Sequence, residues 1–318
     1  MKVITRRKIL TISTVLIVIF LLATTLYSYY FNNSVSVPTN INEKQTIPWA
    51  INKMNVRELW NEGLTGKGIK VAIMDSGVDA SHPDLIDNMN SGINIIDPTT
   101  PPTDYTGHGT FIAGIIGASN NHFGLVGVAP DVELYPVKVL DELGEGDILH
   151  IEKGIDWCIE NGIQIINMSF AINNNKPQLH EAINRALSKG IIIISSASNS
   201  YGETAGYPAS YNQVFSVNAV DRNLDISELA SLGKIDFSAP GVDILSTHLH
   251  GGYGVISGNS YAAPQITGFI ALLLQDPAKF GVTDLTHDQI KNVLSNYSTD
   301  LGIKGYDSLF GAGFVNFN

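Results

Sequence analysis

Residues 134–194 decide the architecture: Leu134-Tyr135-Pro136-Val137-Lys138-Val139, a helical spacing over Ile148 to Glu160, then Ile163-Gln164-Ile165-Ile166-Asn167-Met168, a second helical spacing over Leu179 to Ser188, and the run Ile191 to Ile194. The strand-like runs are continuously apolar rather than alternating, as strands buried on both faces are. Working outward, Lys70-Val71-Ala72-Ile73-Met74 precedes them and Val214 to Val220 follows, while Ala262 to Gln275 and Thr286 to Tyr297 read as further helices. This β-α alternation predicts an α/β fold with a mostly parallel central sheet between helical layers. Reactive groups in such sheets gather beyond the carboxyl ends of the strands. That singles out Asp75, which ends the first apolar run, and Asn199, which follows Ile191 to Ile194 after a Ser-Ser-Ala-Ser turn.

Composition narrows the function. Of 318 residues, 44% are hydrophobic and 15% charged, enough apolar material for a large core and unlike a disordered chain. Nineteen basic against thirty acidic side chains give 19 − 30 = −11, a field that opposes binding to a nucleic-acid backbone. The single cysteine, Cys158, can close no intramolecular disulfide and supply no cysteine-cluster zinc site. No internal repeat is visible, and residues 48–318 read as one domain.

Lys2, Arg6, Arg7 and Lys8 precede an uncharged stretch from Ile9 to Tyr30. At about 1.5 Å per residue it would span roughly 30 Å as a helix, the thickness of a hydrocarbon core. Residues 1–31 therefore read as a signal-anchor, with the amino-terminal cations inside and the remainder outside the cell membrane. A cleaved signal peptide, which would make the protein secreted, shares the pattern and stays open, although Ala23-Thr24-Thr25 is a weak cleavage site. Residues 32–47 are polar and read as a linker, too short for a core of their own.

Three strings pair a reactive side chain with glycine: Asp75-Ser76-Gly77, Gly107-His108-Gly109-Thr110 and Gly258-Asn259-Ser260-Tyr261-Ala262-Ala263-Pro264. Each alone has an ordinary explanation: a turn aspartate, a loop histidine, a helix-capping serine. Together they stand in the order Asp, His, Ser on an α/β chain, an order used for serine-nucleophile catalysis. With Val71 to Asp79, Ser81-His82-Pro83-Asp84-Leu85, Ala113-Gly114, Gly127-Val128-Ala129-Pro130, Ile166-Asn167-Met168-Ser169, Gly206-Tyr207-Pro208-Ala209, Ala239-Pro240-Gly241 and Gly311 to Asn316, the chain from about Gln45 onward resembles the subtilisin-like serine peptidases, the subtilases.

The resemblance implies a subtilisin-like three-layer fold and a serine endopeptidase acting on peptide or protein substrates. Ser260 is then the nucleophile, His108 its base and Asp75 the orienting carboxylate, with the Asn199 amide donating to the oxyanion. Gly144, Glu145 and Gly146 on one side and Ser169, Phe170 and Ala171 on the other would hold the substrate as an added strand, with Ser198 and Gly206 nearby. Calcium is the expected ion, structural rather than catalytic. Its oxygens would come from Gln45, Asp84 and Asn121 side chains and from the Ser119, Phe123 and Leu125 carbonyls.

Four departures from the family pattern bear on specificity. Ser198 replaces a glycine before Asn199, Asn259 a threonine that assists the oxyanion, Phe111 a histidine, and Ala171 a glycine. Asn259 is expected to donate to the oxyanion in the threonine's place. Glu142, Glu145 and Asp147 suggest a cleft that favours basic peptides. The net charge leaves no nucleic-acid partner expected, membrane contact is expected only through the amino-terminal helix, and the protein is expected to be a monomer. Within the same chemistry, a dedicated leader-processing protease of lantibiotic type is an alternative. A non-catalytic peptide binder is the alternative from another class.

Overall fold

The computed structural model describes residues 37–317. The expected amino-terminal membrane or signal helix, Ile9 to Tyr30, lies outside them. Among the described residues no helix is long and apolar enough to cross a membrane.

The described chain runs α1 (Trp49–Lys53), α2 (Val56–Asn61), β1 (Lys70–Asp75), β2 (Ile93–Asn94), α3 (His108–Gly117), β3 (Glu133–Lys138), α4 (Ile148–Glu160), β4 (Ile165–Met168), α5 (Pro177–Ser188), β5 (Ile192–Ser196), β6 (Phe215–Val220), β7 (Phe237–Pro240), β8 (Ile244–His248) and β9 (Gly252–Ile256). A 3₁₀ turn (Asn259–Tyr261) leads into α6 (Ala263–Gln275); α7 (His287–Asn296), β10 (Ser298–Thr299) and β11 (Phe314–Val315) complete it.

Nine strands form one sheet in the order β10-β11-β7-β6-β5-β4-β1-β3-β2, parallel except for β10 against β11. Consecutive residues of one strand feed opposite cores. Val71 and Ile73 of β1 join Phe111, Ile112 and Ile116 of α3 and the α6 side chains. Ala72 and Met74 join Ile151, Ile155 and Cys158 of α4 and Leu179 and Ile183 of α5. This two-sided burial is why the strands are apolar throughout instead of alternating. Helix α6 is buried from Ala263 to Leu274, so its sequence is apolar around nearly its whole circumference.

The chain leaves β1 for β3 on one side and returns to β4 on the other, so the strand order reverses at β1. Such a switch point opens a crevice beyond the carboxyl end of the strand. Asp75 sits there.

The stretch 32–47, expected as a linker, is from Val37 onward part of the globular unit. Ile41 is buried, the Gln45 and Thr46 N–H groups donate to the His122 and Gly124 carbonyls at 3.0 and 2.7 Å, and Ile47 packs on the core. Its polar composition hid the few apolar anchors.

Candidate active site

His108 is the first residue of α3, and the start of that helix is unusually well provided with acceptors. Orphan N–H groups of a first turn need partners. The Thr106 hydroxyl accepts from His108 N at 3.1 Å, the Ser76 hydroxyl from Gly109 N at 3.1 Å, and Asp104 Oδ2 from Thr110 N at 2.9 Å. Asp104 Oδ1 also accepts from the Ser76 hydroxyl, Thr106 N and Gly107 N at 2.9, 2.9 and 3.0 Å. The helix that carries His108 is thus tied to the residue after Asp75.

Asp75 is fully buried, and its Oδ1 accepts from His108 Nδ1 at 2.8 Å and from Ser76 N at 2.8 Å. Burial disfavours the imidazolium, yet the Asp75 carboxylate, its hydrogen bond and the nearby Asp104 outweigh it and raise the His108 pKa above the ordinary histidine value. Lys138, at the end of β3, donates to the Ser76 carbonyl at 2.5 Å and lies over the Tyr105 ring at 5.6 Å. Burial lowers its pKa against the pull of Asp104 and other carboxylates.

Ser260 lies in the 3₁₀ turn just ahead of α6, with Pro264 in the first turn of that helix, where a missing N–H is tolerated. Its carbonyl accepts from the Ser169 hydroxyl at 2.8 Å. Ser169 Oγ in turn accepts from Asn167 Nδ2 at 2.9 Å, and Asn167 Oδ1 accepts from the Thr267 hydroxyl at 2.8 Å. The Ser260 turn is therefore pinned to the end of β4. The next residue, Tyr261, places its ring 5.8 Å from the His108 ring and 4.8 Å from Phe111, which brings the third string to the Asp75–His108 pair. Burial and the Asp75 charge push the Tyr261 phenol up to about 12, so it stays neutral.

Asn199, an exposed residue, follows β5, and its Oδ1 accepts from Asn259 N at 3.0 Å, which engages the oxygen of its amide rather than the NH₂. The expected oxyanion donation by the Asn259 side chain is corrected. That amide is fully buried, donates to the Ser198 and Leu229 carbonyls, the latter at 3.0 Å, and accepts from Ala219 N at 2.8 Å. Both its N–H groups and its oxygen are committed elsewhere.

Of the expected substrate segments, Gly144, Glu145 and Gly146 lie in a tight turn in which Asp141 Oδ1 accepts from Leu143 N and Glu145 N at 2.8 and 2.9 Å. Glu145 projects into solvent. Asp147, counted among the cleft acids, is the N-cap of α4, where its side chain accepts from Leu149 N at 2.8 Å. Opposite, Phe170 is half-buried, and Ile172 and Tyr207 exchange hydrogen bonds at 2.8 Å. A Cβ on Gly206 would stand 2.9 Å from the Ala171 methyl, so these two positions meet with no room for a larger residue at 206. Ser198 holds a left-handed φ of 88°, and its hydroxyl turns to Ser231 Oγ at 3.1 Å.

The six expected calcium-ligating residues also converge. Asp84 is fully buried; its oxygens accept from Asn121 Nδ2 at 3.1 Å and from Leu125 N and the Tyr253 hydroxyl at 2.8 and 3.0 Å. Gln45 Nε2 donates to the Ser119 and Leu125 carbonyls at 3.0 and 3.5 Å, and Phe123 N approaches Asn121 Oδ1 at 3.4 Å. A Cβ on Gly124 would reach within 2.0 Å of Asp84 Oδ2, so the glycine lets the loop wrap the carboxylate. Among the described residues, no lysine or arginine ion pair reaches Asp84. The Asp84 oxygens accept from an amide, a main-chain N–H and a phenol, and the Ser119 and Leu125 carbonyls, held by the Gln45 amide, are the neutral oxygens nearby of the kind a hard cation takes. His82 is no candidate ligand, since Asp84 N donates to its Nδ1 at 3.1 Å and its Nε2 bonds the Gly252 carbonyl at 2.9 Å. Among the described residues no cluster of three or more His, Cys, Asp or Glu gathers, so any cation here would rest on neutral oxygens around one carboxylate.

Asp104, Ser76, Lys138 and Tyr253 were not singled out from the sequence. Asp104 carried one usable signal, a carboxylate four residues ahead of a glycine-flanked histidine at a helix start.

The subtilase family model matches residues 66–313. Minor extracellular protease Epr of Bacillus subtilis is 38% identical over 272 residues, 85% of this chain and 41% of that protein. The thermostable alkaline protease of Halalkalibacterium halodurans is 39% identical over 273 residues, 86% of this chain and 73% of its own length. Subtilisin Savinase of Lederbergia lenta is 37% identical over 274 residues, 86% of this chain and 97% of its own. An α/β fold with a serine-bearing turn beside an Asp–His pair defines the class as a serine-type endopeptidase. The chain belongs to the subtilase family.

Proposed function

We propose that this protein cleaves peptide bonds by acyl transfer through Ser260, with His108 as general base and acid, Asp75 as the orienting carboxylate and Asn199 as oxyanion donor. The observation that carries the reading is the 2.8 Å bond from His108 Nδ1 to the buried Asp75, with the Ser260 turn packed beside it through Tyr261. A bond to Nδ1 leaves Nε2 as the acceptor for the serine proton. Ser260 Oγ bonds to the substrate carbonyl carbon as its proton passes to Nε2. The negative charge then on the carbonyl oxygen is met by the Asn199 NH₂ and the Ser260 N–H, near the positive end of α6. Collapse breaks the C–N bond, and His108 returns the proton to the leaving amine. Water, activated by the same imidazole, releases the acyl group.

The substrate is a peptide or protein drawn as an added strand between 144–146 and 169–171. Glu142 and Glu145, both exposed, give that side of the cleft negative charge and favour basic residues ahead of the cut. The catalytic domain, residues 48–318, works outside the cell as a monomer, held by residues 1–31 as a membrane anchor. The name of the Bacillus subtilis relative, an extracellular protease, supports the outward placement. Side chains at 171 and 198, where the family has glycines, favour a dedicated processing protease, such as one for the leader of an exported peptide, over a bulk degradative one. The calcium site of Gln45, Asp84, Ser119, Asn121, Phe123 and Leu125 would cross-link the amino-terminal segment to the 119–125 loop; bound calcium supplies positive charge there and takes no part in the reaction.

A fluorophosphonate probe tests the reading directly. It is expected to label the native protein and not Ser260→Ala; a folded native protein that remains unlabelled would favour the non-catalytic binder.

A further inference from the structure

We infer that Asn259 is a positioning residue that sets the distance between the Asn199 amide and Ser260. The inference rests on the proposed reading of the site and adds to it a role for the residue before the nucleophile.

Four hydrogen bonds leave this one buried residue. Its main-chain N–H donates to Asn199 Oδ1 at 3.0 Å. Its side-chain NH₂ donates to the carbonyl of Ser198 and, at 3.0 Å, to that of Leu229. Its Oδ1 accepts from Ala219 N of β6 at 2.8 Å. Asn199 is therefore gripped twice by Asn259, through the oxygen of its own amide and through the carbonyl that precedes it. Because Asn259 is covalently joined to Ser260, donor and nucleophile share one reference point, while Ala219 ties that point to the sheet.

The grip matters because the backbone it holds is strained. Ser198 has a φ of 88°, a region that side-chain-bearing residues seldom occupy. Its carbonyl accepts from Asn259 Nδ2 and also from the Ser231 hydroxyl at 2.9 Å, and the two Oγ atoms of Ser198 and Ser231 lie 3.1 Å apart. A threonine at 259 has one hydroxyl proton and cannot donate to both the Ser198 and Leu229 carbonyls while accepting from Ala219 N. The serine at 198 and the asparagine at 259 thus depend on each other: the first puts the oxyanion loop in a costly conformation, and the second holds it there.

The test is a double-mutant cycle in the full chain, read as kcat and KM on one peptide substrate, with melting temperatures to establish folding. Asn199→Ala alone is expected to lower kcat by about 10²- to 10³-fold. Asn259→Ala is expected to lower kcat by about 10- to 100-fold with KM nearly unchanged, since misplacing a group by an ångström costs about that much. In the Asn199→Ala background, Asn259→Ala should cost less than about 3-fold, because a positioning residue has nothing left to position. Asn259→Asp, which keeps the acceptor for Ala219 N and loses both donors, should resemble Asn259→Ala. If Asn259→Ala fails to fold, Asn259→Val, which has no donor of its own, carries the same cycle. Full activity of the folded variant, or an equal loss in both backgrounds, overturns the inference and leaves the proposed reading intact. Ser260→Ala that still turns over substrate, or Asn199→Ala without effect, overturns the reading, and the inference with it.

Discussion

Asp75 and Asp236 are both fully buried at opposite ends of the same parallel sheet, yet they are treated in opposite ways. Asp236 precedes β7, and its two oxygens are saturated: Lys234 Nζ reaches Oδ2 at 2.5 Å, Lys291 Nζ reaches Oδ1 at 2.6 Å, and Ser216 N donates to Oδ2 at 2.9 Å. Burial would raise its pKa, but the two ammonium groups outweigh that and hold it below the ordinary carboxylate range. Asp75 has a crowded Oδ1 and an Oδ2 with no hydrogen-bond partner among the described residues. Among the described residues its direct ion-pair partner is an imidazole that can gain or lose its proton, with the Lys138 ammonium acting only through its charge. A saturated carboxylate holds elements together; one with a titratable partner can support proton movement. Buried aspartate by itself distinguishes neither.

Substitution by asparagine should separate the two. Asp75→Asn is expected to lower kcat about 10⁴-fold, the magnitude seen when the orienting carboxylate of a serine-peptidase triad is lost, with little change in melting temperature. Turnover within tenfold of native would remove the contrast. Asp236→Asn should leave turnover per folded molecule unchanged. It should cost about 3 kcal/mol of stability by leaving two lysines without their counter-charge, measured by denaturant unfolding. The acid side of the unfolding curve sharpens this. A folded pKa below the unfolded one means the Asp236 contribution is present above the unfolded pKa and is lost as pH falls through the folded pKa. The variant should therefore show a weaker fall in stability through that acidic window than the native protein.

Asp84 offers an intermediate case, a buried carboxylate that accepts from amide, main-chain and phenol donors with no lysine or arginine ion pair among the described residues. Chelation should lower the melting temperature of the native protein and leave that of Asp84→Asn unmoved; an equal response in both would remove the calcium reading. The smallest expected effect concerns His108. It must be neutral to accept a proton, and its pKa is raised, so the acid limb of kcat/KM should have its midpoint above the ordinary histidine value of about 6.5. Asp104→Asn should move that midpoint downward, since part of the elevation comes from the Asp104 charge.

The sheet was legible because two-sided burial leaves a local imprint, unbroken apolar runs with helical spacing between them. Helix ends were less so: α5 begins at Pro177, two residues before its apolar pattern does, and the β8–β9 hairpin, with glycines at 252 and 254, left no apolar run to read. At the site, Asp75, His108 and Ser260 stood out because each is embedded in a short glycine-bearing string. Asn259 stands in such a string too, yet its side chain bonds inward to the protein rather than toward the oxyanion. Its side chain answers to Ala219 and Leu229, distant in sequence, and local sequence carries no trace of which long-range carbonyls an amide will reach. Asp104 and Lys138 were passed over for the same reason, since ordinary loop and strand residues become important only when the fold brings both to Ser76.

Cys158 has a further use. Its thiol is wholly enclosed beneath α4, where desolvation pushes its pKa far up, so alkylating reagents and oxidants find neither access nor thiolate. Iodoacetamide uptake would then report only on molecules whose α4–α5 layer has lifted from the sheet, giving a chemical clock for local opening in a chain with no other sulfhydryl to confuse the count.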